Sequence, residues 1–191
     1  MAEKKARRRS LVIAIGGLHG TGKSTQARRL AASLGLRYVS AGHLFRKLAE
    51  EAGVSLEELS KMADEDPEID LLIDEMTKEE AKRGGVVIDG ALSAWMAENA
   101  DIKILLTSPL EARVERIAAR DGLTLEEARR RTLEREEMER NRFKRYYGID
   151  ITDTSVYDIV INTQLFDAKS TARILKNIAM EFLDSLKSRK A

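Results

Sequence analysis

Leu11-Val12-Ile13-Ala14-Ile15 is an unbroken apolar run, the pattern of a short strand buried on both faces. From Lys23 to Leu34 the apolar positions Ala27, Leu30, Ala31 and Leu34 change to helical spacing. Arg37-Tyr38-Val39, Val86-Val87-Ile88-Asp89-Gly90, Ile102-Lys103-Ile104-Leu105-Leu106 and Tyr157-Asp158-Ile159-Val160-Ile161-Asn162 supply four further strand patterns. The stretches between them read as helices. His43 to Glu51 puts Leu44, Phe45 and Leu48 on one side; Ser55 with Glu58 forms a capping box; Asp66-Pro67 precedes Ile69, Leu72, Ile73 and Met76, in register up to Arg83. Gly84-Gly85 ends that helix. Pro109 opens a helix with Leu110, Val114, Ile117 and Ala118 on its apolar face, and Thr124 with Glu127 opens the next. Ala168 to Leu186 closes the chain as an amphipathic helix.

Five strands that each precede a helical region predict an α/β fold: a five-stranded parallel sheet flanked by helices. One segment breaks the pattern. Between Thr124 and Tyr146 the chain is dense in Arg and Glu and poor in apolar residues, so this helix is expected to lie outside the core.

Composition narrows the picture. The 191 residues suit one domain, and Lys+Arg 33 against Asp+Glu 32 leaves a net charge of +1, so overall basicity does not argue for nucleic acid. The absence of Cys excludes disulfides, thiol catalysis and a thiolate metal site, and agrees with a reducing compartment. No apolar run reaches membrane-span length. The basic stretch Lys4-Lys5-Ala6-Arg7-Arg8-Arg9 is followed by too short an apolar run for a signal peptide. Residues 1–10 are therefore read as a disordered basic tail, residues 11–191 as the domain, and the cytoplasm as its location.

The chemistry starts at Gly17-Leu18-His19-Gly20-Thr21-Gly22-Lys23-Ser24, which fits G-x-x-x-x-G-K-[ST] between a predicted strand and a predicted helix. Glycines let the backbone approach a polyphosphate, whose charge meets successive N–H groups and the positive end of the helix dipole. Lys23 is placed to reach the phosphate oxygens, Ser24 to ligate Mg²⁺, and Thr25 lies in the first helical turn. Asp89 ends a buried strand at the sheet edge where ligands of open parallel sheets bind, which makes it the candidate second ligand of the Mg²⁺ shell. His19 and His43 have no ligand cluster near them in sequence, and Trp95 reads as a packing residue.

Phosphoryl transfer needs cations around the transferring group. Arg116 and Arg120 share a helix face, as do Arg131, Arg135 and Arg142. Glu127 lies four residues before Arg131 and Glu139 three before Arg142, so the same spacing also suits a solvated face of ion pairs. An Arg-rich helical hairpin is also what a mobile lid over nucleotide phosphates looks like. Arg46, one turn beyond Ser40-Ala41-Gly42, is a candidate for an acceptor's phosphate.

Taken together, Ile15-Gly16-Gly17 through Thr25, Val39-Ser40-Ala41-Gly42 with Leu44-Phe45-Arg46, Glu65 to Asp70, Pro109-Leu110-Glu111, Arg135-Glu136-Glu137, and Tyr147-Gly148-Ile149-Asp150 with Tyr157 to Thr163 resemble the archaeal type of cytidylate kinase, a P-loop nucleoside monophosphate kinase. The resemblance implies a core of residues 11–39, 84–110 and 148–191, a helical acceptor-binding insert at about 40–83 and a lid at about 111–147. It implies transfer from ATP, with Mg²⁺, to CMP or dCMP. Lys23, Asp89, Arg116, Arg120, Arg135 and Arg142 would be catalytic, and Ser40, Gly42, Arg46 and Asp70 would bind the acceptor. A monomer acting on small nucleotides, with neither membrane nor nucleic acid as partner, is expected. The chain departs from the pattern at Ala91, where similar proteins carry Arg, at Glu75-Met76-Thr77 in place of Arg-Arg-Gln, at His43 and at Met138. These departures keep two other readings open: a P-loop kinase for UMP, AMP or a non-nucleotide acceptor, and an ATP-dependent RNA or assembly factor.

Overall fold

The computed structural model describes residues 10–188, so the basic stretch Lys4–Arg9 lies outside the described residues. Strands β1 (Val12–Gly16), β2 (Arg37–Ser40), β3 (Val86–Asp89), β4 (Ile102–Thr107) and β5 (Ile159–Asn162) form one sheet in the order β2-β3-β1-β4-β5. Every neighbouring pair is parallel. Parallel pairing forces a crossover after each strand, and helices fill the crossovers. They are α1 (Lys23–Leu34), α2 (Ala41–Ala52), α3 (Leu56–Glu65), α4 (Glu68–Arg83), α5 (Ser93–Met96), α6 (Leu110–Asp121), α7 (Leu125–Tyr147) and α8 (Ala168–Ser188).

The apolar strands are continuous because both faces are covered. Leu11, Ile13, Ile15, Ile104 and Leu106 face α1 and α8, where Leu30, Leu175 and Leu183 complete the larger core. Val12, Ala14, Val86 and Ile88 point the other way, toward Ala81 of α4 and Ala97. Each fully buried aliphatic chain contributes about 1.5–3 kcal/mol, which sets this sheet as the rigid platform of the molecule.

Register then decides where the chemistry lies. Ile15 is level with Asp89, and Asp89 with Ser40. The carboxyl ends of β1, β2 and β3 therefore bring the glycine loop, Asp89 and the start of α2 to one edge of the sheet.

Two expectations are corrected. The helix after β2 begins at Ala41, not His43, because the Ser40 hydroxyl accepts a hydrogen bond from His43 N at 3.2 Å and caps it. The second correction is the larger. α7 is not an outlying polar helix: Ala128, Thr132, Glu136, Glu139, Arg142 and Phe143 are buried along it. Its inward face is ionic, so it does not register as hydrophobic. Arg131 does pair with Glu127, at 2.5 Å, but Glu139 and Arg142 ignore one another: Glu139 meets His19 of the glycine loop as well as Arg135 of its own helix, and Arg142 meets Asp70 of α4.

Candidate active site

The loop between β1 and α1 follows the backbone path that its glycines permit. Gly17 has φ 137°, and a Cβ there would stand 2.2 Å from the Leu106 carbonyl oxygen. At Gly20, φ 76°, it would meet the Arg113 carbonyl oxygen at 2.7 Å. α1 starts at Lys23 with Gly22 as N-cap, no side-chain cap and no acidic residue in its first turn. Its first N–H groups and its dipole are thus left for an external anion.

Inside the loop, the Leu18 carbonyl accepts from Thr21 Oγ1 and from Lys23 Nζ, both at 2.8 Å. Desolvation holds the Lys23 ammonium below the ordinary lysine value, against the opposing pull of Asp89, Glu139 and Glu136. Thr25 is exposed on the first turn of α1.

Ser24 Oγ donates to Asp89 Oδ2 at 2.8 Å. Asp89 is only 2% exposed, and among the described residues its Oδ1 has no hydrogen-bond partner. A buried carboxylate oxygen without a partner beside a serine hydroxyl suits a hard cation. No cluster of three His, Cys, Asp or Glu occurs among the described residues, so most of a Mg²⁺ shell would have to come from phosphate oxygens and water.

The arginines separate into different situations. Arg116 donates to the Gly20 carbonyl at 3.1 Å and to Thr163 Oγ1 and O at 3.1 and 3.2 Å, joining the loop to the chain after β5. Arg120 pairs with its neighbour Asp121, and Arg135 with Glu139 at 2.9 Å while its guanidinium lies 5.9 Å from the Phe45 ring. Arg46 makes no hydrogen bond or ion pair among the described residues, and Gly42 beside it lines the same cleft. Burial, then Arg120 and Arg135, hold the Arg46 guanidinium below its ordinary value. Three cations facing one space favour an anion between them. Arg142 differs from all of these. It is 2% exposed, and its Nε donates to Asp70 Oδ2 at 2.5 Å while Nη1 reaches the Ser60 carbonyl at 3.2 Å. Arg142 and Asp70, read from sequence as a lid residue and an acceptor residue, are thus brought together in one buried pair.

Several site residues were not read from sequence. Arg113, 5% exposed, forms an ion pair with Glu136 and donates to the His19 carbonyl at 3.0 Å; Glu136 in turn accepts from His19 N at 3.1 Å. The His19 ring meets Glu139 Oε2 at 2.9 Å. Burial lowers the His19 pKa, and Glu139 opposes the shift. Burial alone would raise Glu139, but His19 and Arg135 reverse this and leave it well below the usual carboxylate range. His19 therefore connects the loop to α7 through both its N–H and its ring. Glu136 lies inside a quoted motif, yet its partner Arg113 is 23 positions away, a pairing that no local spacing reveals.

One cleft of about 1630 Å³ is lined by Lys23 and Ser24 of α1, Arg46, Arg120 and Arg135, and Asp70, Ile73 and Asp74 of α4. Single-ligand sites run to about 300–1,000 Å³, so the cleft has room for two nucleotide-sized molecules.

The family described as an AAA domain matches residues 16–142. The cytidylate kinase of Ignicoccus hospitalis is 51% identical over 170 residues, 88% of this chain and 99% of that protein. That of Staphylothermus marinus is 50% identical over 174 residues, 91% of this chain and 98% of the other, and that of Pyrococcus horikoshii 45% identical over 91% and 90%. The chain belongs to the cytidylate kinase family. Among solved structures, a shikimate kinase from Bacteroides thetaiotaomicron aligns with TM-score 0.60 at 16% identity, covering 89% of this chain and 98% of that one. A gluconokinase from Sinorhizobium meliloti aligns with TM-score 0.62 at 16% identity, covering 97% and 100%. The two structures share the fold, whereas the cytidylate kinases share about half of the sequence over about nine-tenths of the chain.

Proposed function

We propose that this chain transfers the γ-phosphoryl group of ATP to CMP or dCMP, giving ADP and the nucleoside diphosphate. The observation that carries the reading is identity of 45–51% to cytidylate kinases over about nine-tenths of the chain. The geometry supports it by setting a triphosphate-binding loop and an apolar-walled pocket in one cleft.

In this reading Gly17, Leu18, His19, Gly20, Thr21, Gly22, Lys23, Ser24 and Thr25 form the ATP loop, with Lys23 meeting the phosphate oxygens. Ser24 and Asp89 hold Mg²⁺, which when bound neutralises charge on the phosphates. Arg46, Arg120 and Arg135 surround the transferring group, and Arg116 fixes the loop against Thr163. Residues 40–83, which include Ser40, Gly42 and Asp70, receive the acceptor, and 111–147 act as the lid. The resemblance leads one to expect an arginine at position 91, where this chain has Ala91; Arg46, Arg120 and Arg135 are then the cations left for the acceptor phosphate. The enzyme works as a monomer on free nucleotides in the cytoplasm; no helix among the described residues is long and apolar enough to cross a membrane.

A coupled assay for ADP over CMP, dCMP, UMP and AMP tests this directly. CMP or dCMP should give the highest kcat/KM, and silence with all four rejects the reading. Lys23→Ala should reduce transfer by more than a hundredfold, a ΔΔG‡ above about 2.7 kcal/mol, with an unchanged circular dichroism spectrum.

A further inference from the structure

α4 presents two carboxylates to the cleft, four residues apart and therefore on one face. They are in different states. Both oxygens of Asp70 are held by Arg142, at 2.5 and 3.5 Å. Asp74 is 7% exposed and forms no ion pair among the described residues, and its Oδ2 is wholly buried. The Tyr147 hydroxyl is the one hydrogen-bond donor that acts on it, and the charged groups acting on it are Asp70, Lys78 and Arg142. Thr77, one turn on, spends its hydroxyl proton on the Ile73 carbonyl at 2.9 Å. A nine-tenths buried carboxylate with a single hydroxyl for its two oxygens is costly to keep, so its surroundings call for a further donor brought by a ligand.

The neighbours specify what kind of ligand. Ile73, Leu92, Met96 and Phe143 line the same cleft as Asp74. Apolar walls with one buried acceptor suit a flat heteroaromatic ring whose edge carries an N–H donor. The phosphates belong with Lys23 and the arginines, which leaves the apolar wall and Asp74 for the base.

We infer that Asp74 is a specificity-determining residue for the acceptor base, its carboxylate accepting the exocyclic amino group of a cytosine ring. The inference rests on the proposed CMP kinase reading. An ionised carboxylate only accepts, so the keto oxygen that uracil carries at the same position would face it acceptor to acceptor and leave both unpaired. Discrimination comes from that repulsion as much as from the attraction.

The experiment measures kcat/KM for CMP and UMP at pH 7.5, with calorimetric binding of each, on the wild type and Asp74→Asn. Asparagine is nearly isosteric and offers a donor as well as an acceptor. The CMP-to-UMP ratio should fall by roughly 10- to 100-fold, with the KM for ATP unchanged and the thermal midpoint the same or higher. Asp74→Ser, which is neutral and smaller, should lower the ratio in the same direction. Equal losses for CMP and UMP would assign Asp74 to the ribose or to structure and overturn the inference, as would an unchanged ratio. A wild type that uses CMP and UMP equally would also overturn it while leaving the kinase reading intact. A wild type that phosphorylates neither would remove the kinase reading and this inference with it.

Discussion

Burial raises the Asp74 carboxyl to about 6 against the hydrogen bond from Tyr147, with Asp70 adding to the effect and Lys78 and Arg142 opposing it. The unfolded chain releases this proton near the ordinary aspartate value of 3.8. Between those two values the unfolded state loses its proton first, so stability declines as pH rises through the window and the full loss persists above about 6. Asp74→Asn removes that loss. Chemical denaturation should find the variant more stable by about 2–3 kcal/mol at pH 7.5, with the two curves converging below pH 4. A constant difference across the range would mean that the carboxyl titrates alike in the native and unfolded states. A residue that destabilises the fold where it stands, yet faces the cleft, has the profile of one retained for binding.

At the scale of elements, α7 carries most of what the sequence did not disclose. Strands were legible because a buried parallel strand is apolar on both faces, so Leu11–Ile15 and Val86–Ile88 needed no knowledge of their neighbours. The phosphate loop was legible because its chemistry is backbone chemistry, contiguous in the chain. Asp89 was legible from its place at a strand end, although its partner Ser24 is 65 residues away. The buried face of α7 had no such signal. Glu136, Glu139 and Arg142 are indistinguishable in sequence from Arg130, Glu134 and Arg131, which stay on the surface; only the crossing of α7 over α6, α3 and α4 assigns their partners. The Arg142–Asp70 pair is the clearest case, since it ties the helix to the insert with both ends buried. Arg142→Ala leaves Asp70 desolvated and uncompensated, and should lower stability by about 3–5 kcal/mol in urea unfolding. The double variant Asp70→Asn, Arg142→Met removes both charges and should recover at least half of that loss. Additive losses would show that the two side chains act independently.

Over the whole molecule, the sheet register, the insert and α7 bring the glycine loop, Arg46, Arg135 and Asp74 to one cleft of about 1630 Å³, and this has a consequence for ligands. If the donor and the acceptor occupy its two ends, their phosphate chains meet between Lys23 and the arginines, and a single molecule that joins adenosine to cytidine through a polyphosphate should span both ends. Joining the two makes the second contact intramolecular, and a linker of matching length should gain roughly 10²–10⁴ in affinity over either nucleotide alone. Such a compound, with a chain of four to six phosphates made in series, should inhibit competitively against ATP and against CMP, with the optimum length reporting the span of the cleft. The basic residues along the path add a second signature, since affinity should fall as ionic strength rises and these charges are screened. Competition against ATP alone, at every length, would place the acceptor outside this cleft and break the link drawn between the glycine loop and α4.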